Sequence, residues 1–228
     1  MTGFAKLDCM PKSELAQALD RIQKSLALEL KTRQFKVRGR TFNRQSADGL
    51  TQVINIQMGS FDPPGTTYHP GLRENLYGRF TVNLGVYVPE VAADRRVGPT
   101  KSWVQEPVCC IRTRLGNLGT EEADLWWSIN AETPVVEDLL PRIRHDAMFF
   151  FARYESRDLI LSELRGRSEN TGAGSNPPRI ICAIILATRG DLSAARQLLS
   201  DQARETRNPG HPAYVRGLAA RLGLGALD

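Results

Sequence analysis

From Gly78 to Glu90 the chain reads GRFTVNLGVYVPE, and every second residue from Phe80 is apolar: Phe80, Val82, Leu84, Val86 and Val88. A period of two is the pattern of a strand with one face in a core. The residues between them, Thr81, Asn83, Gly85 and Tyr87, give that strand a second face that is polar and uncharged. Upstream the period is 3.6. Leu15, Leu19, Ile22, Leu26 and Leu30 make one apolar stripe and predict an amphipathic helix, with Lys24 and Lys31 on its solvated side. Ser13 is its expected N-cap, because a hydroxyl there can accept an orphan backbone N–H.

Four more segments read as strands. QFKVRGRTFNR alternates as one strand, and GLTQVINIQM follows the turn signal SADG. VCCIRTRLG places Cys109, Ile111, Thr113 and Leu115 on one side and Cys110, Arg112 and Arg114 on the other. LWWSIN is short and aromatic. Two long connections, Gly59 to Tyr77 and Pro89 to Pro107, interrupt the series. Structureless loops of such length are uncommon in compact domains and often functional.

Helical periodicity then returns. Thr133 and Pro134 suit N-cap and N1, and Pro141 predicts either a break or a kink. Ser156 caps a short helix to Leu164, which Gly166 ends. Residues 166–178, GRSENTGAGSNPP, have linker composition. Beyond them, PRIICAIILATRG and DLSAARQLLSDQARE predict two helices joined through Gly190 as C′ and Asp191 as N-cap. A last helix runs from Pro212 to Leu222. The hairpin resembles one unit of a tetratricopeptide-type repeat, but no second copy follows, and a solenoid needs about three.

The expected fold is therefore α+β: a mainly antiparallel sheet of about five strands, helices packed on one face, and a helical C-terminal extension. The expected division is 1–165 for the α+β domain, 166–178 for a flexible linker and 179–228 for a helical hairpin extension.

Composition changes this picture little. The chain has 228 residues, 41% hydrophobic and 24% charged, which suits a soluble globular protein. The net charge of +5 comes from dispersed arginines rather than a dense block, which argues against a nucleic-acid partner. The four cysteines, Cys9, Cys109, Cys110 and Cys182, form no C-x-x-C pair. With no apolar stretch at the N-terminus, they point to a reducing cytoplasm. The longest apolar run, IICAIILA, is too short for a bilayer.

Chemistry is sparse. There is no phosphate-cradling glycine loop, nucleophile elbow or H-E-x-x-H helix, and no cofactor or metal is expected. His69 lies near Asp62, Tyr68 and Glu74, in a loop of plain turn composition. His145 reads as a surface residue. Cys109 and Cys110 lie near Arg112, but no partner base is visible, so small buried strand residues are the simpler reading. What stands out is distributed. If the apolar faces meet the helices, the opposite sheet face collects Arg38, Arg40, Asn55, Gln57, Asn83, Tyr87, Arg112 and Arg114, with Thr81 and Trp126 beside them. Arginine forks, amides and aromatics suit a protein partner or an anionic group. The plain alternative is a solvated face, or one covered by the C-terminal helices.

The ordered run FKVRGRTFNR, DGLTQVINIQ, GRFTVNLGVYVPE, CIRTRLG, WWSI and DLLPRIRHDAMFFFARY resembles the bacterial domain-of-unknown-function family 4304, from about Leu15 to Leu164. The resemblance implies an α+β domain and a cytoplasmic bacterial origin. It brings no catalytic residues to carry over. The leading functional expectation is a non-enzymatic protein-binding module of immunity or adaptor type. The alternative is a binder of a small anionic ligand, or an enzyme, working from the Arg/Asn/Tyr face.

Overall fold

The strand β4 (Arg79–Tyr87) sits inside the sheet because its alternation supplies Phe80, Val82, Leu84 and Val86 to the core, all of them fully buried. The computed structural model describes residues 13–59, 76–94, 103–118, 124–167, 175–206 and 208–227. Its six-stranded sheet is antiparallel throughout, in the order β1 (Lys36–Arg38), β2 (Thr41–Gln45), β3 (Thr51–Met58), β4, β5 (Ile111–Arg114), and β6 (Trp127–Ser128) pairs with the start of β4. The fold is α+β with a helical C-terminal part.

One expected strand is two. QFKVRGRTFNR folds back on itself: Arg38 pairs with Thr41, and Gly39 and Arg40 form the two-residue turn between them. Gly39 has φ +58°, at the first central position, where primed hairpin turns favour glycine. The turn packs on the first helix, α1 (Glu14–Thr32): Gln23 Nε2 donates to Gly39 O at 2.5 Å.

The helices form where the pattern places them, except for a short one at Pro89–Asp94, inside the connection Pro89 to Pro107 that reads as a loop. Ser13 Oγ accepts from Ala16 N–H and caps α1, whose Leu19, Ile22, Leu26 and Leu30 are fully buried. After β4 comes the short α2 (Pro89–Asp94). α3 (Glu132–Arg142) starts two residues earlier than expected and runs through Pro141 unbroken. The following turn, Ile143–Ala147, widens to a π-turn before α4 (Met148–Arg153). Proline withholds the N–H that would reach the Glu137 carbonyl and crowds that carbonyl, yet the helix continues past it; the widened turn follows this position rather than spanning it. Ser156 caps α5 (Arg157–Leu164), accepting from Leu159 N–H.

The apolar run IICAIILA lies in α6 (Pro178–Thr188), where Ile180 to Leu186 are all buried. A helix apolar on every side belongs inside a protein. Its neighbours are α7 (Leu192–Glu205), capped by Asp191 Oδ1, α5 and α2. The last helix, α8 (His211–Arg221), packs on α7. Residues of α1, the sheet and α3 to α8 belong to one contiguous core. Before α6, Ser175 and Asn176 occupy the outer edge of β5: Arg112 N–H donates to Ser175 Oγ at 2.8 Å, and Asn176 N–H donates to Cys110 O at 2.9 Å. A strand edge that would otherwise expose unpaired backbone is thereby covered. Among the described residues, no helix is long and apolar enough to cross a membrane.

Three arginines fasten the periphery. Arg157 on α5 donates to both carboxylate oxygens of Glu90 on α2, at 2.6 and 2.8 Å, and its own N–H donates to Asp48 Oδ2 in the β2–β3 turn. Arg221 at the end of α8 pairs with Asp94 at 2.9 Å. Arg144 pairs with Glu29 of α1 at 2.8 Å.

Candidate functional site

The second face of the sheet is built in rows. Arg38, Thr41, Asn55, Asn83 and Arg114 stand directly opposite one another on β1 to β5. The next row is Lys36, Asn43, Val53, Gly85 and Arg112. Gln57 faces Thr81, and Thr51 faces Tyr87. Directly opposed residues share a face, so the alternation read from β4 propagates across the whole sheet.

The two ends of this face differ. At one end the chain returns over the sheet and closes it. Val104, Val108 and Cys109 meet Val53, Tyr87 and Ala92 in a small apolar cluster separate from the main core. Cys109 lies over Gly85: a Cβ on Gly85 would stand 2.7 Å from its Sγ. Gly85 therefore admits a side chain of the same chain. Tyr87 is buried in this cluster, and burial pushes its hydroxyl pKa up. Burial likewise pushes the Cys109 thiol well up, which disfavours the nucleophilic thiolate.

Cys109 and Cys110 do point to opposite faces, with Cys109 in the small cluster and Cys110 in the main core. Their sides are the reverse of the strand pattern. Both precede β5, and Cys109 ends the 3-10 turn Glu106–Val108, so the alternation does not extend back to them.

The other end opens into a cleft of about 440 Å³. β3 supplies Gln57, β4 Asn83, and β5 Arg112, Thr113 and Arg114. The 3-10 turn Leu115–Leu118 supplies Asn117, and Glu106 and Asp124 complete the wall. Glu106 is 3% exposed, and both its oxygens accept from Arg112, at 2.6 and 3.0 Å. This fork-to-fork bond is the chief reason Arg112 is held above the usual guanidinium pKa. Arg114 Nη1 donates to Asp124 Oδ2, which also accepts from Trp126 Nε1 at 3.2 Å. The Arg114 guanidinium lies 5.2 Å from the Trp126 ring centre. Asn83 Nδ2 donates to Gln57 Oε1 at 2.6 Å. Further along the row, Asn55 Nδ2 donates to Thr41 Oγ1 at 3.0 Å. These amides sit mid-strand because each has a cross-strand partner.

Of the eight residues expected on this face, Gln57, Asn83, Arg112 and Arg114 line one cleft. Asn55 lies in the same row, bonded to Thr41. Arg38 is exposed at the far end of that row on β1. Tyr87 is on the face but sealed beneath the returning chain. Arg40 is on the helix side, because the hairpin turn directs it to Asp20 of α1 at 4.0 Å. Glu106, Asn117 and Asp124 went unread in the sequence: they lie outside the strands, where no periodicity marks them. His145 is exposed on the π-turn. The loop around His69, together with Cys9 and linker residues 168–174, lies outside the described residues. Among the described residues, no group of three or more His, Cys, Asp or Glu side chains could hold a metal ion.

Comparison of the chain with protein-family models, with curated proteins and with solved structures finds no match.

Proposed function

We propose that the protein is a non-enzymatic protein-binding module, of immunity or adaptor type, whose contact surface is the open end of the second sheet face. The observation that carries this reading is that both arginines of the cleft already hold carboxylates, Arg112 with Glu106 and Arg114 with Asp124. An anionic metabolite would have to displace Asp124 and sit against its charge, so the paired arginines favour a protein over an anion. What remains is a hydrogen-bonding surface of amides with an arginine stacked on a tryptophan, a composition enriched at protein interfaces. Membership of the bacterial family 4304 and a cytoplasmic setting are part of the proposal and rest on the order of the sequence motifs.

The test is retention of a host protein on the immobilised chain, with the cleft open or filled. Asn117 is exposed and its side chain makes no hydrogen bond with another described residue, so Asn117→Trp fills the cleft at little cost to folding. The reading expects a retained protein that is lost with Asn117→Trp at unchanged thermal stability. Equal retention by both forms would contradict it.

A further inference from the structure

Resting on that reading, we infer that the group the cleft takes from its partner is an uncharged amide, either a peptide unit or a side-chain carboxamide. Among its described lining residues the cleft contains two cations and two anions in contact pairs, so their formal charges sum to zero. A carboxylate entering it meets Asp124 and Glu106, and an ammonium meets Arg112 and Arg114. A neutral group meets neither penalty.

The hydrogen-bonding groups left over are of both kinds. Asn83 is 5% exposed and lines the cleft, yet its Oδ1 accepts from no described residue. Gln57 beside it uses only its Oε1, which leaves its Nε2 donor available. One acceptor next to one donor is the complement of an amide, which offers an N–H and a C=O together. Turning both side-chain amides over exchanges their roles, with Gln57 donating to Asn83, and again leaves one acceptor and one donor. The inference therefore does not depend on which way the pair is turned. Asn117 adds a third side-chain amide at the rim. An incoming amide can bond to both groups at once, which a methyl group cannot.

Three isosteric probes test this on the protein: propionamide, propionate and propionamidinium. The side-chain NH2 resonances of Asn83, Gln57 and Asn117 are followed by NMR during titration. Propionamide is expected to shift Asn83 and Gln57 saturably, with a dissociation constant at least about tenfold below those of the charged probes. Its affinity should be nearly independent of salt. Equal or tighter binding of propionate overturns the inference, and so does the absence of a saturable shift with propionamide. If propionate binds more tightly while Asn117→Trp still abolishes retention of the host protein, the amide claim falls and the contact surface stands. If propionamide binds but retention is indifferent to Asn117→Trp, the site takes amides and the proposed function falls.

Discussion

Cys109 lies so close over Gly85 that a Cβ on the glycine would stand 2.7 Å from the Cys109 Sγ and 2.8 Å from its Cβ. The closure of one end of the sheet face depends on this contact. Gly85→Ala is expected to destabilise the protein by about 1–3 kcal/mol, the usual cost of overpacking. In the background Cys109→Ala, where the Sγ is gone, the same substitution should cost measurably less. Urea denaturation of the four proteins in the cycle gives the coupling. Strict additivity would mean that the Cys109 Sγ is not what opposes the added Cβ.

The Arg112–Glu106 pair is the buried ionic element of the site. Arg112→Ala leaves a carboxylate that is 3% exposed without its guanidinium, and a loss of about 3 kcal/mol or more is expected. The double substitution Arg112→Met with Glu106→Gln should lose less than Arg112→Ala alone, because no charge is stranded. Chemical denaturation at pH 7 reads both. A double variant worse than the single would show that the pair is net stabilising.

Acid should loosen the periphery before the core. Glu29, Asp48 and Glu163 are held below their ordinary values of 4.5, 3.8 and 4.5, chiefly by hydrogen bonds from Arg144, the Arg157 backbone N–H and Arg153 respectively. A carboxyl with a lowered folded pKa contributes stability that is complete above its unfolded value and is lost as pH falls through the folded one. Stability should be level from pH 7 to about 5 and decline below about pH 4. A flat profile down to pH 3 would contradict these pairings.

The thiols should be inert in the native protein. Burial pushes Cys182 up to about 12 and Cys109 well above its ordinary value. At pH 8 about one Cys182 in ten thousand is then thiolate. In a Cys9→Ser variant, Cys109, Cys110 and Cys182 are expected to resist a thiol reagent at pH 8 and to react promptly in urea. Rapid native labelling of any of the three would contradict their burial.

Much of this architecture is legible in the sequence, for reasons that also explain the rest. The alternation in β4 assigns Asn83 and Gly85 to the second face, and the same period assigns Gln57, Asn55, Arg112 and Arg114. Helix caps at Ser13, Ser156 and Asp191 are legible because each is a local hydrogen bond. The hairpin at Gly39 carried a local signal, a glycine between two β-patterned halves, but the alternation runs through it and reads as one strand. The wall of the cleft was not legible. Glu106 reaches Arg112 only because a 3-10 turn brings the returning chain over the sheet, and Asp124 meets Arg114 from beyond the turn Leu115–Leu118. Nothing periodic in the sequence marks a carboxylate that arrives from a loop. The covering of Tyr87 escaped for the same reason: Val104 and Cys109 are long-range neighbours of Val53 and Tyr87.

The central claim is that this sheet face is closed at one end by the chain itself and meets a partner at the other. Photo-crosslinking in the host, with the reactive residue placed singly at Gln57, Asn117, Thr51 and Leu28, tests it most directly. Gln57 and Asn117 line the cleft, Thr51 lies toward the closed end opposite Tyr87, and Leu28 is exposed on α1. The same protein adduct from Gln57 and Asn117, with little from Thr51 or Leu28, is the predicted result. Adducts from Leu28 with none from Gln57 and Asn117 would place the contact on the helical side and contradict the account.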